Sequence, residues 1–125
     1  HFKAVNDGYG HDAGDEALRE FARRLGLHVR AIDLPCRLGG EEFVVLMPET
    51  GAGDALNIAE RVRAQIAAEP FAVGGGRLLN VTVSVGVATS GGLGDSPEAL
   101  LKRADEGVYE AKSSGRNRVI LRSAA

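Results

Sequence analysis

The chain has 125 residues, of which 44% are hydrophobic and 26% are charged, with a formal net charge of −2. This length allows one hydrophobic core and is short for two, so we expect a single domain over residues 1–125. The apolar runs are far shorter than the ~20 residues of a membrane span, and the small negative charge argues against a general nucleic-acid-binding surface. Cys36 is the single cysteine, so no internal disulfide can form and the cytoplasm is the expected compartment.

Helical periodicity first appears in the segment EALREFARRLGLHV. Leu18, Phe21, Ala22 and Leu25 recur at helical spacing. Asp12 is a suitable N-cap. The pattern therefore predicts a helix from about residue 12 to about residue 27.

Two short strands are predicted next, at residues 34–38 and 42–47, and Pro48 ends the second. The segment GDALNIAERVRAQIAAEP then repeats the helical pattern. Its apolar positions are Ala55, Ala59, Val62 and Ile66.

The last part of the chain predicts strands around a third helix. FAV and RLLNVTVSVGVAT are rich in β-branched residues and are separated by three glycines, which indicates a strand, a turn and a longer strand. Ser96 is expected to cap a helix that Pro97 begins and Gly115 ends, and NRVILRS is a final strand. Paired strands that alternate with one-faced helices indicate an α+β fold, with helices packed on an antiparallel or mixed sheet.

The motif LGGEEFVVLMP joins the first two predicted strands. Gly39 and Gly40 allow the backbone angles of a tight hairpin and the close approach of a ligand. Glu41 and Glu42 are adjacent like charges, which a nearby cation would stabilise, and Mg²⁺ takes one or two carboxylates together with phosphate oxygens. The alternative is a solvated hairpin in which both glutamates face water.

Two other polar residues, Asp15 and Asn6, fit nucleotide recognition. A carboxylate that accepts two parallel N–H bonds beside an amide matches the N1/N2 edge of guanine, and Asp15 and Asn6 supply these groups. Asp15 also fits an ordinary charge in the first turn of a helix. Lys112 and Arg116 lie one turn apart near the end of the last helix, where cations are favourable in any case.

Residues 1–120 resemble the GGDEF domain of diguanylate cyclases, in its GGEEF variant. The matching stretches are HFKAVNDGYGHDAGDEALREFA, RLGGEEFVVLMP, AERVR, NVTVSVGVA and LLKRADEGVYEAKSSGRNRV, in the order of the family. The resemblance implies the palm-like βαββαβ fold of nucleotidyl cyclases, a ferredoxin-like antiparallel sheet with helices packed on it. It also implies condensation of two GTP to cyclic di-GMP with release of two pyrophosphates, in a homodimer whose two domains each hold one GTP.

The same resemblance assigns roles to single residues. Glu41 corresponds to a ligand of Mg²⁺ or Mn²⁺, and Glu42 to its companion at a second metal or in activating the attacking hydroxyl. Gly39 and Gly40 would let the nucleotide lie close to the turn. The other positions of the GTP site are Asn6 and Asp15 for guanine and Lys112 and Arg116 for the triphosphate.

A second site is implied by the R-x-x-D pattern of Arg30 and Asp33. Many family members carry an inhibitory product site at this position, where the guanidinium holds a phosphate or stacks on a guanine and the carboxylate takes the guanine edge. Arg61, in AERVR, resembles the additional arginine that this site recruits. The alternative is a local ion pair.

The chain departs from the family at its start. A family strand that ends in D-x-D and supplies a metal ligand precedes the HFK segment, so we expect the first central strand to be missing from this chain, which begins at His1.

Two functional interpretations follow: a product-inhibited diguanylate cyclase controlled by an upstream sensory or receiver domain, or an impaired fragment that binds cyclic di-GMP as a binding module. A third interpretation is an enzyme that makes a 3′,5′-cyclic mononucleotide.

Overall fold

The structure is a computed structural model that describes residues 11–39, 41–90 and 96–122. Helices and short strands alternate along these ranges. In chain order they are α1 (His11–His28), β1 (Leu34–Gly39), β2 (Glu42–Leu46), α2 (Ala52–Ala68), β3 (Phe71–Val73), β4 (Arg77–Leu79), β5 (Val85–Ala88), α3 (Pro97–Ser113) and β6 (Val119–Arg122).

The chain falls into two compact units, His1–Pro48 with Gln65–Val81 and Glu49–Ala64 with Thr82–Ala125. Helix α2 therefore contributes to both units. The single domain over residues 1–125 stays a prediction.

The first unit contains α1 and two antiparallel strand pairs. In the β1–β2 hairpin Leu34 lies opposite Leu46, and a bulge interrupts the register just before Gly39, which lies opposite Glu42. Strands β3 and β4 form the second pair around a turn at Gly74–Gly76. Helix α1 packs on β3. The buried apolar side chains of this unit are Ala17, Phe21, Leu25, Ile66, Phe71, Val73, Leu79 and Val81.

The second unit packs α3 on the parallel pair β5–β6. Two glycines allow the helix to approach the strands closely. A Cβ atom at Gly107 would lie 2.9 Å from Gly86 Cα, and a Cβ atom at Gly86 would lie 2.6 Å from the backbone nitrogen of Val108. Backbone therefore faces backbone at this contact, with no room for a side chain on either glycine.

Both ends of helix α3 have the features that the sequence predicts. The Ser96 hydroxyl accepts a hydrogen bond of 3.1 Å from the Ala99 backbone nitrogen, and Pro97 is the first helical residue. Gly115 follows the helix with φ of 127°, a conformation that favours glycine. The N-cap predicted for α1 is wrong, because α1 begins at His11 and Asp12 lies within its first turn.

The α+β class, the three helices and the hairpin are confirmed. All four apolar positions predicted for α2 are buried. The predicted long strand is wrong: it is divided into β4 and β5, with residues 80–84 in neither strand. The run changes partners, because β4 pairs with β3 in one unit and β5 pairs with β6 in the other.

Candidate functional site

The glycine–glutamate motif forms the turn of the β1–β2 hairpin. Gly39 ends β1 with φ of 156°, and a Cβ atom there would have no neighbour within 4 Å. Glu41 lies in the turn and is half-buried, whereas Glu42 begins β2 and is exposed. Gly40 and Asn6 lie outside the described residues.

A cleft of about 320 Å³ lies between α1 and this hairpin, within the first unit. Ligand pockets commonly have volumes of about 300–1,000 Å³, so the cleft is large enough for a small ligand. Its wall is stabilised by Phe43 of β2, whose ring packs on Phe21 of α1 with centroids 4.9 Å apart. The lining residues are Asp15, Leu18, Arg19, Ala22, Arg37 and Phe43.

The lining combines an apolar surface with groups of both charges. Asp15 can accept hydrogen bonds, and the guanidinium groups of Arg19 and Arg37 can donate them. A guanine edge presents donors at N1 and N2 and acceptors at O6 and N7. The cleft therefore offers complementary partners to a planar base that carries donors and acceptors together.

Three lining residues, Arg19, Arg37 and Phe43, were not identified from the sequence. Positions 15, 19 and 22 have the spacing of residues that share one face of a helix. That spacing was the available signal for Arg19. No comparable pattern relates α1 to Arg37 and Phe43, because a helix and a distant hairpin meet only in the folded chain.

The carboxylates at the turn fit a divalent cation only in part. Among the described residues there is no group of three or more His, Cys, Asp or Glu side chains arranged to hold a metal. Glu41 and Glu42 supply two carboxylates at most, and Mg²⁺ commonly takes one or two carboxylates and completes its shell with phosphate oxygens and water. These donors therefore suit a cation that is shared with a bound phosphate.

Arg30 and Asp33 close a tight turn between α1 and β1. The Asp33 backbone nitrogen donates to the Arg30 carbonyl oxygen at 3.0 Å, and the Arg30 backbone nitrogen donates to Asp33 Oδ2 at 2.8 Å. Arg30 Nη2 also donates to Asp33 Oδ1 at 2.7 Å, and Nε lies 3.1 Å from Oδ2. The Asp33 side chain is fully buried, while that of Arg30 is 35% exposed.

This geometry favours the ionised carboxylate of Asp33. The hydrogen bonds from the Arg30 side chain lower the pKa of Asp33, and they outweigh the opposing effect of burial. The local ion pair considered as the alternative for R-x-x-D is therefore present in the structure. Arg30 covers the carboxylate that was predicted to recognise guanine.

The remaining predicted site residues belong to the second unit. Lys112 lies in the last turn of α3 and is exposed, and Arg116 follows the helix with φ of 64°. Arg61 is exposed on the part of α2 that belongs to this unit. Asp15 and the Glu41–Glu42 turn thus belong to the same unit, and Arg30 is in direct contact with Asp33.

In the part of the chain that the structure describes, no helix is both long and apolar enough to cross a bilayer.

Comparison with known families identifies the class of protein. The family model described as "Diguanylate cyclase, GGDEF domain" matches residues 1–118. The chain belongs to this family, which confirms the resemblance and the palm-like α+β fold that it implies.

Three relatives give this assignment detail. The chain is 64% identical over 124 residues to the response regulator PleD of Caulobacter vibrioides, covering 98% of this chain and 27% of PleD. The solved GGDEF domain of YfiN (TpbB) from Pseudomonas aeruginosa superposes with a TM-score of 0.89 at 37% identity, covering 100% of this chain and 78% of that structure. The GGDEF domain of DgcB from Caulobacter crescentus, solved in complex with c-di-GMP, gives a TM-score of 0.89 at 32% identity, covering 97% of this chain and 71% of that structure.

The chain spans about a sixth to a third of the length of the curated relatives that it matches. The similarity therefore concerns one domain's worth of sequence in longer proteins.

Proposed function

We propose that this domain condenses two molecules of GTP into cyclic di-GMP. In each half of the reaction a ribose 3′-oxygen forms a bond to the α-phosphorus of the other GTP, the bond from that phosphorus to the pyrophosphate oxygen breaks, and pyrophosphate leaves. The hydroxyl gives up its proton. The observation that supports this most directly is the cleft between α1 and the β1–β2 hairpin, which is lined by Asp15 from the helix and by Arg37 and Phe43 from the hairpin.

Each residue has a role in this proposal. Asp15, with Asn6, accepts the N1–H and N2–H groups of guanine. The open space at Gly39 lets the phosphates approach the hairpin, and Gly40 is assigned the same role. Lys112 and Arg116 bind the triphosphate. Glu41 holds the divalent cation, Mg²⁺ or Mn²⁺, and Glu42 is its companion, as a further ligand or as the base that accepts the hydroxyl proton.

The metal supplies charge neutralisation at the transferring phosphoryl group. The chain's own residues supply orientation, because phosphoryl transfer depends mainly on positioning the two reactants in line. Two copies of the protein must face each other, since each GTP attacks the other. PleD is named a response regulator, and we propose that a receiver or other sensory domain controls this pairing, in the cytoplasm where GTP is available.

The test is turnover of GTP with Mg²⁺, with the product identified by chromatography. Glu41→Gln should lower the rate at least about 100-fold, because an amide replaces the charged metal ligand. Asp15→Asn should reduce the preference for GTP over ITP, which lacks the 2-amino group, because the carboxylate no longer accepts two N–H bonds. Glu106→Gln removes one exposed charge on α3 and is the matched control.

Two results would contradict the proposal. Undiminished turnover in Glu41→Gln would show that the turn between β1 and β2 takes no part in the reaction. A 3′,5′-cyclic mononucleotide as the product would assign the domain to a different cyclase reaction.

The Arg30–Asp33 turn favours a second function, binding of the product. We propose that cyclic di-GMP binds here, with Arg61 as an additional cation, and inhibits the enzyme; a protein that binds but does not turn over GTP would be a binding module instead. Support comes from the paired guanidinium and carboxylate, which match the phosphate and the guanine edge of this ligand. DgcB was solved with c-di-GMP.

Calorimetric titration with cyclic di-GMP tests this site. Arg30→Ala should weaken binding at least about tenfold, because a charge-assisted contact is lost, and it should relieve inhibition of turnover by added product. Arg23→Ala is the matched control, since Arg23 pairs with Glu20 three residues away just as Arg30 pairs with Asp33. Equal affinities of the wild type and Arg30→Ala would reject the site.

A further inference from the structure

The backbone after α3 runs through three consecutive residues with positive φ. The angles are 127° at Gly115, 64° at Arg116 and 46° at Asn117. Glycine adopts this conformation freely and asparagine tolerates it, but an arginine does so at a cost. The surrounding contacts must therefore hold Arg116 in place.

Part of this support comes from the chain next to Arg116. The Arg116 backbone nitrogen donates to the Ala111 carbonyl oxygen at 2.8 Å, which closes the end of α3. Arg118 Nε donates to the Arg116 carbonyl oxygen at 3.0 Å. Both backbone polar groups of Arg116 are thus engaged, so the loop has a defined path.

The other support comes from α2, more than fifty positions earlier in the sequence. Arg63 Nη1 donates to Asn117 Oδ1 at 2.8 Å. Arg63 is itself fixed by Glu60, whose carboxylate oxygens accept hydrogen bonds of 3.0 and 2.9 Å from Arg63 Nε. The Arg63 side chain is only 20% exposed. We call Glu60, Arg63 and Asn117 the latch.

We propose that Arg63 is a positioning residue: through the latch it fixes the left-handed backbone at Arg116 and so orients the Arg116 guanidinium for the triphosphate of GTP. This inference rests on the proposed function, which assigns the triphosphate to Lys112 and Arg116. The planar guanidinium binds phosphate through paired N–H groups, so its effect depends on orientation as well as on charge. An arginine on an unsupported loop would lose that orientation.

The experiment measures binding of a non-hydrolysable GTP analogue with Mg²⁺. Arg63→Met keeps the aliphatic stem and removes the donors, and Asn117→Gly keeps the left-handed backbone and removes the acceptor. Each should weaken binding about five- to tenfold. Asn117→Asp retains an acceptor for Arg63 and should recover most of the binding that Asn117→Gly loses.

A double variant separates positioning from a general structural role. If Arg63 acts only through Arg116, adding Arg63→Met to Arg116→Ala should weaken binding no further than Arg116→Ala alone. Arg122→Met is the matched control, because Arg122 also bonds a carboxylate in this unit, Glu110 Oε2 at 3.3 Å. That control should bind the analogue as the wild type does.

The outcomes distinguish this inference from the proposed function. If Arg116→Ala leaves binding unchanged, the triphosphate role of Arg116 fails and the inference fails with it. Two results reject the latch and leave the proposed function standing. In the first, Arg116→Ala weakens binding of the analogue but Arg63→Met and Asn117→Gly do not. In the second, Arg63→Met weakens binding by the same factor in the wild type and in Arg116→Ala. If Arg63→Met does not unfold cooperatively, the two Asn117 variants decide between these results.

Discussion

Arg24 is a charged side chain that is 8% exposed within the core of the first unit. Each branch of its guanidinium has a partner: Nε donates to Glu20 Oε2 at 2.6 Å, Nη1 to the Glu69 carbonyl oxygen at 2.8 Å, and Nη2 to the Pro70 carbonyl oxygen at 3.0 Å. The group also lies 4.2 Å from the centre of the Phe71 ring. Arg24 therefore ties α1 to the residues that precede β3, and its burial is compensated by these partners.

Glu20, which also bonds Arg23, should make stability depend on pH. Hydrogen bonds from Arg23 and then Arg24 lower the pKa of Glu20 from 4.5 to about 2. A lowered folded-state pKa stabilises the fold above pH 4.5, and that contribution is lost as the pH falls toward 2. Glu20→Gln should therefore be less stable than the wild type by about 1–2 kcal/mol at pH 7, with the difference disappearing near pH 2.

Urea unfolding of both proteins across this pH range measures the effect. Glu106→Gln again serves as control, since it removes an exposed glutamate from α3. A constant difference between the wild type and Glu20→Gln from pH 7 to pH 2 would contradict the assignment.

At the scale of elements, the contact between α3 and the β5–β6 pair depends on Gly86 and Gly107. Glycine inside a helix normally costs stability relative to alanine, by about 1 kcal/mol. At Gly107 the cost is offset by the close approach of α3, because a Cβ atom there would also lie 3.1 Å from the Ile120 carbonyl oxygen. The sequence pattern predicted the helix but gave no reason for this glycine.

Gly107→Ala should destabilise the protein by about 1–3 kcal/mol, since overpacking exceeds the gain in helix propensity. Gly53→Ala on α2 is the matched control, because a Cβ atom at Gly53 meets nothing within 4 Å. That variant should be neutral or slightly stabilising. Thermal unfolding of the two variants measures the contrast, and a stabilised Gly107→Ala would show that the helix and the strands do not approach so closely.

At the scale of the whole molecule, local signals identified most elements. The apolar spacing of α2, the Ser96–Pro97 start of α3 and the glycines of the hairpin each act within a few residues, so the sequence alone was sufficient to predict them. The division of the long predicted strand was missed because it depends on a change of pairing partner. Strand pairing is a long-range property that periodicity does not encode.

The same distinction applies to the candidate site. Sequence motifs nominate Asp15, Glu41 and Arg30 as candidates, whereas Arg37 and Phe43 line the cleft only because the hairpin packs on α1. Arg63 was missed for a similar reason: its partner Asn117 is distant in sequence, and an E-x-x-R pattern on a helix indicates nothing more than a surface ion pair.

The Arg30–Asp33 pair has a consequence for the proposed inhibition by product. Arg30 occupies the carboxylate of Asp33. If cyclic di-GMP binds at this turn as proposed, its guanine edge must displace Arg30 from the carboxylate or share the carboxylate with it. The apparent dissociation constant is then the intrinsic one divided by the fraction of molecules in which the pair is open. A tenfold change in that fraction changes the inhibitory concentration of the product tenfold. The stability of the turn at residues 30–33 would therefore set the product concentration at which inhibition begins.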